Sequence, residues 1–501
     1  MKILKQLALI LTIFSCSALY SSCNFIDIPD ELSDNLDLEE VFNNPSYTKK
    51  WYNEMYRMIP KYSEMGLGAS NYKTGIWSII AGEVTTAKGP GRNYMTSGFN
   101  ASSADFHKWW NGYIMIRQAL IFLDRVKPLG ISGTDREAIS EEQVNRMKSE
   151  AKYLMAYTYF QLFELYGPVP IVSEIQNPED KNLDYPRASV DEVVQYIDDL
   201  LVDVIESEHI PKTINTGKVG NDYEHNNDRF ELKEMLRTTI IAAKALSARL
   251  WVYAASPLFN GGYQEALSIK NHDGKLLFPE YDANKWVIAK THLEELLDFA
   301  EQNGFELYKA KPDENGDVDP NESIYELFQY YNNEIIWATG DNNFNHITLN
   351  MEPRTSPRDI VDSFGNVGVF QEGVDLFFMD NGLLITDPNS GYDPTGFQDY
   401  PNVTRTDKRI DKHINTMFVN REPRFYNTIT YEGRSWHIDP RAKYTVHFSK
   451  GGGADSSMDE NPRTGYMLYK FKNRTLINKG DNNKQWGRPW ILFRLADFYL
   501  Y

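Results

Sequence analysis

Residues 142–170 read EQVNRMKSEAKYLMAYTYFQLFELYGPVP, and this segment decides the fold more than any other part of the chain. Its apolar residues recur three and four positions apart, as they do on one broad face of a long helix. They are Met147, Ala151, Leu154, Tyr159, Leu162, Phe163 and Tyr166. Gly167 stands where a left-handed residue ends a helix, and two prolines follow it. The segment predicts a helix over residues 142–166 with a sharp stop.

The same periodicity predicts further helices on both sides of this segment. Their approximate ranges are 46–58, 105–126, 189–204, 232–255 and 284–302. Ser189 and Glu192 form a capping box at the start of one of them, and the alanines of residues 242–248 would let a neighbouring helix approach closely. Helices spaced roughly 35 to 50 residues apart are typical of stacked helix pairs, although no strict sequence repeat is visible.

The C-terminal part of the chain has a different character. Beyond residue 310 the sequence is dense in Asn, Asp, Gly and Pro, interrupted by short apolar runs such as residues 334–338 and 444–448. Such composition favours loops and short elements. The predicted fold class is therefore mainly α, with a helical region over 46–310 and a loop-rich, irregular subregion over 311–501 packed on it.

The N-terminus carries an export signal. Lys2 and Lys5 precede an apolar run over residues 7–19, which is too short to span a bilayer. The run leads to Cys23 in a pattern that resembles a bacterial lipobox, with Tyr20 in place of an aliphatic residue. The prediction is a signal peptide over 1–22, with acyl chains such as palmitate on Cys23 and an acidic tether over 23–45. Ordinary cleavage nearby, without lipid, is the alternative.

Composition limits the possible partners. The formal net charge of −18 becomes −20 without residues 1–22, which contain two lysines and no acidic residue. Nucleic acid is an improbable partner for such a chain, because phosphate binding needs a basic surface. Of the two cysteines, Cys16 lies in the signal, so no pair remains for an intrachain disulfide or a thiolate zinc site.

Common catalytic signatures are absent from the sequence. It contains no His-Glu-x-x-His, Gly-x-Ser-x-Gly, phosphate-binding glycine loop or dinucleotide fingerprint. Glycosidases need only two suitably spaced carboxylates, and 70 acidic residues supply many accidental pairs. We therefore predict no enzyme and no cofactor, and we keep a secreted glycoside hydrolase as a lesser alternative.

Two clusters superficially suggest metal binding. Residues 313–322 are acidic, but Val318 and Ile324 occupy the glycine and final carboxylate positions of a calcium loop, so we interpret the cluster as a solvated turn. His292 and Glu295 lie one turn apart on a predicted helix without a clear third ligand. A surface helix pair is the favoured interpretation there, and no metal site is predicted.

Six segments occur in a characteristic order along the chain. They are residues 23–29 (CNFIDIP), 151–154 with 166–170 (AKYL and YGPVP), 185–189 (YPRAS), 255–261 (ASPLFNG), 420–426 (NREPRFY) and 494–497 (RLAD). In this order they resemble the SusD/RagB family of nutrient-uptake lipoproteins over nearly the whole mature chain. Because the arginines of residues 421–424 lie within one of these segments, we favour structural bracing for them over ligand binding.

The resemblance implies a SusD-like fold and a function. Such a protein has tetratricopeptide-like helix pairs, is lipid-anchored and surface-exposed at the cell outer membrane, and forms a lid on a SusC-like TonB-dependent transporter. Members capture oligosaccharides, and some capture peptides. Our leading hypothesis is oligosaccharide capture and delivery, with RagB-like peptide capture as the alternative.

The end of the chain differs from the family pattern. It stops at Tyr501, just inside an apolar helix predicted from about Trp490, whereas the family continues through further helices. We expect a truncation, and therefore lower stability than in complete relatives. A cooperative melt at an ordinary mesophilic temperature would argue against this expectation.

The predicted ligand site lies in the Gly-, Ser- and Asn-rich region 66–103. Sugar capture needs flat apolar faces beside planar amides or charged groups on exposed loops. The residues that fit are Tyr72, Trp77, Asn93, Tyr94, Phe99 and Asn100, with Tyr263 and residues 341–345 as a possible opposing wall. For each ring, burial in the core is the competing interpretation.

Overall fold

A computed structural model describes residues 37–60, 77–87, 98, 107–130, 136–177, 179, 184–215, 231–339, 355–357, 365, 367–404, 409–436, 444–457, 461, 463–474 and 488–501. Within these ranges no helix is both long enough and apolar enough to cross a bilayer. The predicted signal peptide and Cys23 lie outside the described residues.

The long helices end by residue 302, and the helices described after that residue are short. In chain order the helices are α1 (Leu38–Asn43), α2 (Pro45–Arg57), α3 (Trp77–Ile80), α4 (Trp109–Arg125), α5 (Glu141–Tyr166), α6 (Val190–Glu206), α7 (Ile240–Ala255), α8 (Asn284–Gln302), α9 (Pro320–Leu327), α10 (Gln371–Asp375), α11 (Pro423–Thr428) and α12 (Leu495–Leu500).

Short strands accompany them, mainly in the C-terminal half. They are β1 (Val84–Thr86), β2 (Ile335–Thr339), β3 (Val367–Val369), β4 (Phe397–Pro401), β5 (Ile410–Asn415), β6 (Ile429–Thr430), β7 (Met467–Leu468) and β8 (Trp490–Arg494). One sheet has the order β1-β3-β7-β6, and β2 pairs with β8 and β4 with β5, all antiparallel. The predicted mainly α fold with a loop-rich second part is confirmed.

Helix α5 is the central element of the helical half. Ser140 caps its start, because its hydroxyl accepts from the backbone N–H of Gln143 while the Gln143 side chain accepts from the Ser140 N–H. Nearly every side chain from Ala151 to Phe163 is buried. At the C-terminal end Gly167 has a φ of 64°, which a side chain would strain. The predicted helix and its stop are thus confirmed.

Successive helices pack against one another in pairs around α5. Helix α4 lies on α5, α5 on α6, α6 on α7 and α7 on α8. The approach of α4 to α5 depends on Gly112, since a Cβ there would lie 2.9 Å from Cδ2 of Leu162. Helix α6 begins after the predicted Ser189–Glu192 capping box, which is present. Each helix therefore covers the apolar face of its neighbour.

Helix α7 confirms the predicted small-residue packing but begins later than predicted. Ala242, Ala243, Ala245 and Ala248 are all fully buried. Residues 232–234 form a separate 3₁₀ turn, and α7 starts after Thr239, whose hydroxyl accepts from the backbone N–H of Ala242 at 3.3 Å. The N-cap hydrogen bond of a threonine thus determines the true start.

Two further elements differ from the sequence-based expectation. Residues 38–43, within the predicted tether, form α1, which begins with a capping box between Asp37 and Glu40 and buries Val41 and Phe42. The apolar segment from Trp490 is a strand, β8, and helix α12 starts only at Leu495. Pairing with β2 holds residues 490–494 extended, because tertiary contacts override a weak local preference.

Strand β2 connects the two halves of the molecule. The Trp337 side chain is 1% exposed, and its ring centroid lies 5.2 Å from that of Tyr153, 5.0 Å from that of Tyr157 and 5.6 Å from that of Phe493. Its indole N–H donates to the carbonyl oxygen of Leu236 at 2.8 Å. The loop-rich half is therefore joined to the helical core through this ring.

The loop-rich half has its own apolar core, braced by a buried arginine. Arg421 is 2% exposed, and its guanidinium donates to the carbonyl oxygens of Val374 at 2.9 Å, Phe377 at 2.8 Å and Met417 at 3.1 Å, with a longer contact to Phe378 at 3.4 Å. These bonds tie α10 and the residues that follow it to the 3₁₀ turn Thr416–Phe418. The structural-bracing interpretation is confirmed for Arg421.

Candidate functional site

A cleft of about 660 Å³ lies where the helical scaffold meets the loop-rich half. One side is formed by α5 and α7, the other by α9, α11 and the segments around β7 and β8, with α3 at the edge. The lining residues that matter below are Trp77, Glu164, Phe328, Arg424, Lys470, Phe471, Trp490 and Arg494. We call this space the cleft.

Three aromatic rings in contact, those of Phe328, Phe471 and Trp490, form one side of the cleft, and we call them the aromatic wall. The Phe471 ring stacks on Trp490, with centroids 4.8 Å apart and planes nearly parallel at 17°. Phe328 meets Phe471 edge-on, with centroids 4.7 Å apart and planes at 61°. Phe328 is buried behind the other two, which are half-buried. The wall therefore presents flat apolar surface to the cleft.

The middle ring of the wall is held by an unusual backbone conformation. Phe471 has a φ of 68°, in the left-handed region that a bulky side chain rarely adopts. Such a conformation costs on the order of 1–3 kcal/mol and persists only where surrounding structure enforces it, often at binding sites. Here it places the Phe471 ring in contact with both Phe328 and Trp490.

Trp77 marks the edge of the cleft. It is the first residue of α3, its side chain is 40% exposed, and Ile79 two residues later is buried in the core of the loop-rich half. Ile79 thus anchors the short helix while Trp77 remains accessible. Leu376, also on the lining, is 71% exposed, so the cleft is open to solvent on this side.

Charged groups lie among the rings. Arg424 forms two hydrogen bonds with Glu422, at 2.6 and 2.9 Å, and Arg494 contacts Glu334 at 3.2 Å. Lys470 places its ammonium 4.8 Å from the centroid of Phe328. The cleft therefore combines apolar faces with groups that can hydrogen-bond to hydroxyls or carry charge.

A carboxyl group faces the cleft from α5. Burial raises the pKa of Glu164, while the nearby charges of Lys108 and Arg249 act in the opposite direction. Glu164 makes no hydrogen bond or close ion pair with any described residue. A raised pKa makes this carboxyl a weaker negative charge near neutral pH than an exposed glutamate would be.

Two of the residues predicted for the ligand site, Trp77 and Tyr263, are described by the structure, and of these two Trp77 lines the cleft. Tyr263 does not line it; its half-exposed ring packs edge-on against Phe278 at 6.2 Å. The remaining predicted residues lie outside the described residues: Tyr72, Asn93, Tyr94, Phe99, Asn100 and residues 341–345.

The aromatic wall and Lys470 were not found from the sequence. Phe328, Phe471 and Trp490 come from three separated segments, and nothing in the local sequence distinguishes them from core rings. The one signal that the sequence offered was that an aromatic residue follows Lys470 directly. Cleft residues of this kind become visible only when the topology is known.

The two clusters that superficially suggest metal binding in the sequence make other contacts. His292 Nδ1 lies 2.9 Å from the hydroxyl of Ser247, while Glu295 pairs with Lys244 at 3.5 Å, so the two side chains have different partners. Asp313 accepts from the backbone N–H groups of Asn315 and Asp317, as expected for a turn. Among the described residues, no group of three or more His, Cys, Asp and Glu side chains could hold a metal ion.

The fold and the cleft define a class: a protein with a helical scaffold and a candidate site beside its loop-rich half. Comparison with family models makes this specific. A model of the SusD family matches residues 333–501, and a model described as starch-binding and associating with the outer membrane matches residues 93–216. Together they cover more than half of the chain, and the chain belongs to the SusD/RagB family.

Solved structures share the fold. The protein BT4246 is 21% identical with a TM-score of 0.68, over 91% of this chain and 78% of its own. A SusD-like protein from Bacteroides fragilis is 19% identical with a TM-score of 0.61, over 94% and 76%. A SusD-like carbohydrate-binding protein from the same organism is 16% identical with a TM-score of 0.60, over 92% and 73%. Comparison with curated proteins found no match.

Proposed function

We propose that this protein captures oligosaccharides at the cell surface, without catalysis, and delivers them to a TonB-dependent outer-membrane transporter. The observation that carries the proposal is the cleft itself, where Trp77 and the aromatic wall lie among charged side chains. The family description as starch-binding and the carbohydrate-binding relative from Bacteroides fragilis support the ligand class.

The chemistry of the cleft suits a sugar ring. A pyranose has apolar faces that stack on aromatic rings and hydroxyl edges that need donors and acceptors. Trp77, Phe471 and Trp490 would supply the faces, and Arg424 and Glu422 would supply charged hydrogen-bonding groups close by. A volume of about 660 Å³ is sufficient for a small oligosaccharide.

A binding panel tests the ligand class directly. Purified protein would be titrated with neutral and acidic oligosaccharides and, in parallel, with a panel of peptides. We expect binding to at least one glycan class and none to the peptides. If no glycan binds and at least one peptide does, RagB-like peptide capture replaces this proposal.

Replacing Trp77 with alanine is expected to weaken oligosaccharide binding about tenfold or more, which corresponds to about 1.4 kcal/mol of lost stacking and burial. The fold should tolerate the change because Trp77 is 40% exposed. Trp286→Ala is the matched control, since Trp286 is 43% exposed and does not line the cleft. Calorimetric titration of both variants would measure the effect, and equal losses would argue against a role for Trp77.

Surface delivery requires an anchor, and we propose Cys23 as the lipidated residue. Cells grown with a labelled fatty-acid analogue should incorporate label into the wild-type protein, and Cys23→Ala should lose that label and leave the membrane fraction. Several acyl chains give durable anchoring, whereas one gives only reversible binding. Persistence of label in Cys23→Ala would place the modification elsewhere.

A further inference from the structure

Lys470 differs from the other cations that line the cleft. Its ammonium lies over the ring of Phe328, and it makes no hydrogen bond or ion pair with any described residue. Arg424 and Arg494 have acidic partners in Glu422 and Glu334, and Arg249 contacts Asp497 at 3.5 Å. Lys470 is therefore the cleft-lining cation without a carboxylate partner in the described part of the chain.

The absence of a partner is unusual for a half-buried lysine that lines a cavity. Charged side chains removed from water are normally paired, because desolvation disfavours the ion. Lys285 shows the ordinary outcome in this molecule, since it is 6% exposed and contacts the carboxylate of Asp191 at 2.6 Å. Lys470 instead lies over the ring of Phe328 and lines a cavity large enough for a ligand.

The surroundings leave the Lys470 ammonium poorly compensated. Burial lowers its pKa to about 8, and the neighbouring guanidinium groups of Arg494 and Arg424 act in the same direction, while Asp497 and Glu83 act against it. Arg494 lies 5.7 Å from the centroid of the same Phe328 ring. The Lys470 ammonium and the Arg494 guanidinium therefore both lie close to the Phe328 ring. An anion entering the cleft would stabilise the charged form of Lys470.

We infer that Lys470 anchors an anionic group of the captured oligosaccharide, so that the cleft prefers acidic saccharides over their neutral counterparts. The inference rests on the proposed function and specifies its ligand class. Lysine is a point charge without the planar fork of arginine, so the shared requirement is a negative group, a uronate carboxylate or a sulfate. The aromatic wall would hold the sugar ring beside it.

The test compares matched ligands. Uronate oligosaccharides would be titrated beside their carboxyl-reduced neutral forms, and sulfated oligosaccharides beside their desulfated forms, against wild type, Lys470→Met and Lys470→Gln. We expect the acidic ligand of at least one pair to bind wild type about tenfold more tightly, and this ratio to fall toward one in both variants. Lys412→Met is the control, since Lys412 is 61% exposed and pairs with Asp399 away from the cleft; its ratio should equal that of wild type.

The pH dependence gives an independent readout. Below about pH 8 the Lys470 ammonium is charged, and as pH rises through that value the charge is lost. Affinity of wild type for the acidic ligand should therefore decrease above about pH 8. The decrease should be smaller in Lys470→Met, which keeps only the ionisation of Glu164, a cleft carboxyl whose pKa is raised to about 7. A purely structural lysine would give no such ligand-specific profile.

The outcomes separate this inference from the function on which it rests. If wild type binds neutral glycans as tightly as acidic ones, Lys470 is not an anchor for an anionic group. The same holds if both Lys470 variants keep the preference for acidic glycans. In either case the proposal of glycan capture stands. If wild type binds no glycan at all, both are overturned. Thermal melting of each variant checks that it is folded. If Lys470→Met does not fold, the same comparison is made with Lys470→Gln.

Discussion

Replacing Arg421 with leucine should lower the free energy of unfolding by about 4 kcal/mol, because buried carbonyl groups would lose their donors at a cost of about 1–3 kcal/mol each. The affected carbonyls belong to Val374, Phe377 and Met417, with a longer contact to Phe378. Leucine fills part of the space but donates nothing. Urea denaturation followed by circular dichroism would measure the change.

Two variants make the Arg421 result specific. Arg421→Lys keeps a charge but lacks the planar fork, so it should recover less than half of the loss. Arg57→Leu is the exposed control, since the Arg57 side chain is 73% exposed and pairs with Glu54 three residues away; it should change stability by less than about 1 kcal/mol. Equal effects at Arg421 and Arg57 would contradict the bracing role.

Replacing Trp337 with alanine should lower the free energy of unfolding by about 3–5 kcal/mol, the range for deleting a large buried aromatic side chain. The ring is almost fully buried against Tyr153, Tyr157 and Phe493. A cavity there would separate β2 from the helical core, and Tyr157, which also lines the cleft, would lose its packing partner. Oligosaccharide binding should therefore weaken together with stability.

A smaller substitution separates packing from hydrogen bonding at this position. Trp337→Phe retains most of the ring but leaves the Leu236 carbonyl without its indole donor, so we expect a loss of about 1–2 kcal/mol. Trp110→Ala, at a side chain that is 62% exposed, should change stability by no more than about 0.5 kcal/mol. A Trp337→Ala protein as stable as Trp110→Ala would show that β2 does not join the two halves.

The long helices could be predicted because their signals are local. In α5 and α6 the capping boxes, apolar periodicity and the Gly167 stop all lie within the helix or one residue beyond it. The predicted start of α7 was wrong because Thr239 caps the helix inside a stretch that continues the apolar pattern. Local sequence thus determines where these helices exist more firmly than where they begin.

The cleft could be predicted only in part, because its components are distant in sequence. The aromatic wall needs β8 to pair with β2, more than 150 residues earlier, and needs Phe471 to adopt a left-handed backbone. The hydrophobic periodicity of the sequence indicates neither the strand pairing nor the left-handed backbone. Trp77 could be proposed because an exposed aromatic among Gly, Ser and Asn residues fits sugar recognition, independent of long-range pairing.

The most direct test of the account is a crystal structure of the protein with a bound oligosaccharide from the binding panel. We predict that a sugar ring stacks on Trp77 or on the aromatic wall, within about 4 Å of the ring plane, and that an acidic substituent lies beside Lys470. A sugar bound on another face, for instance against Tyr263, with the cleft empty, would contradict the account.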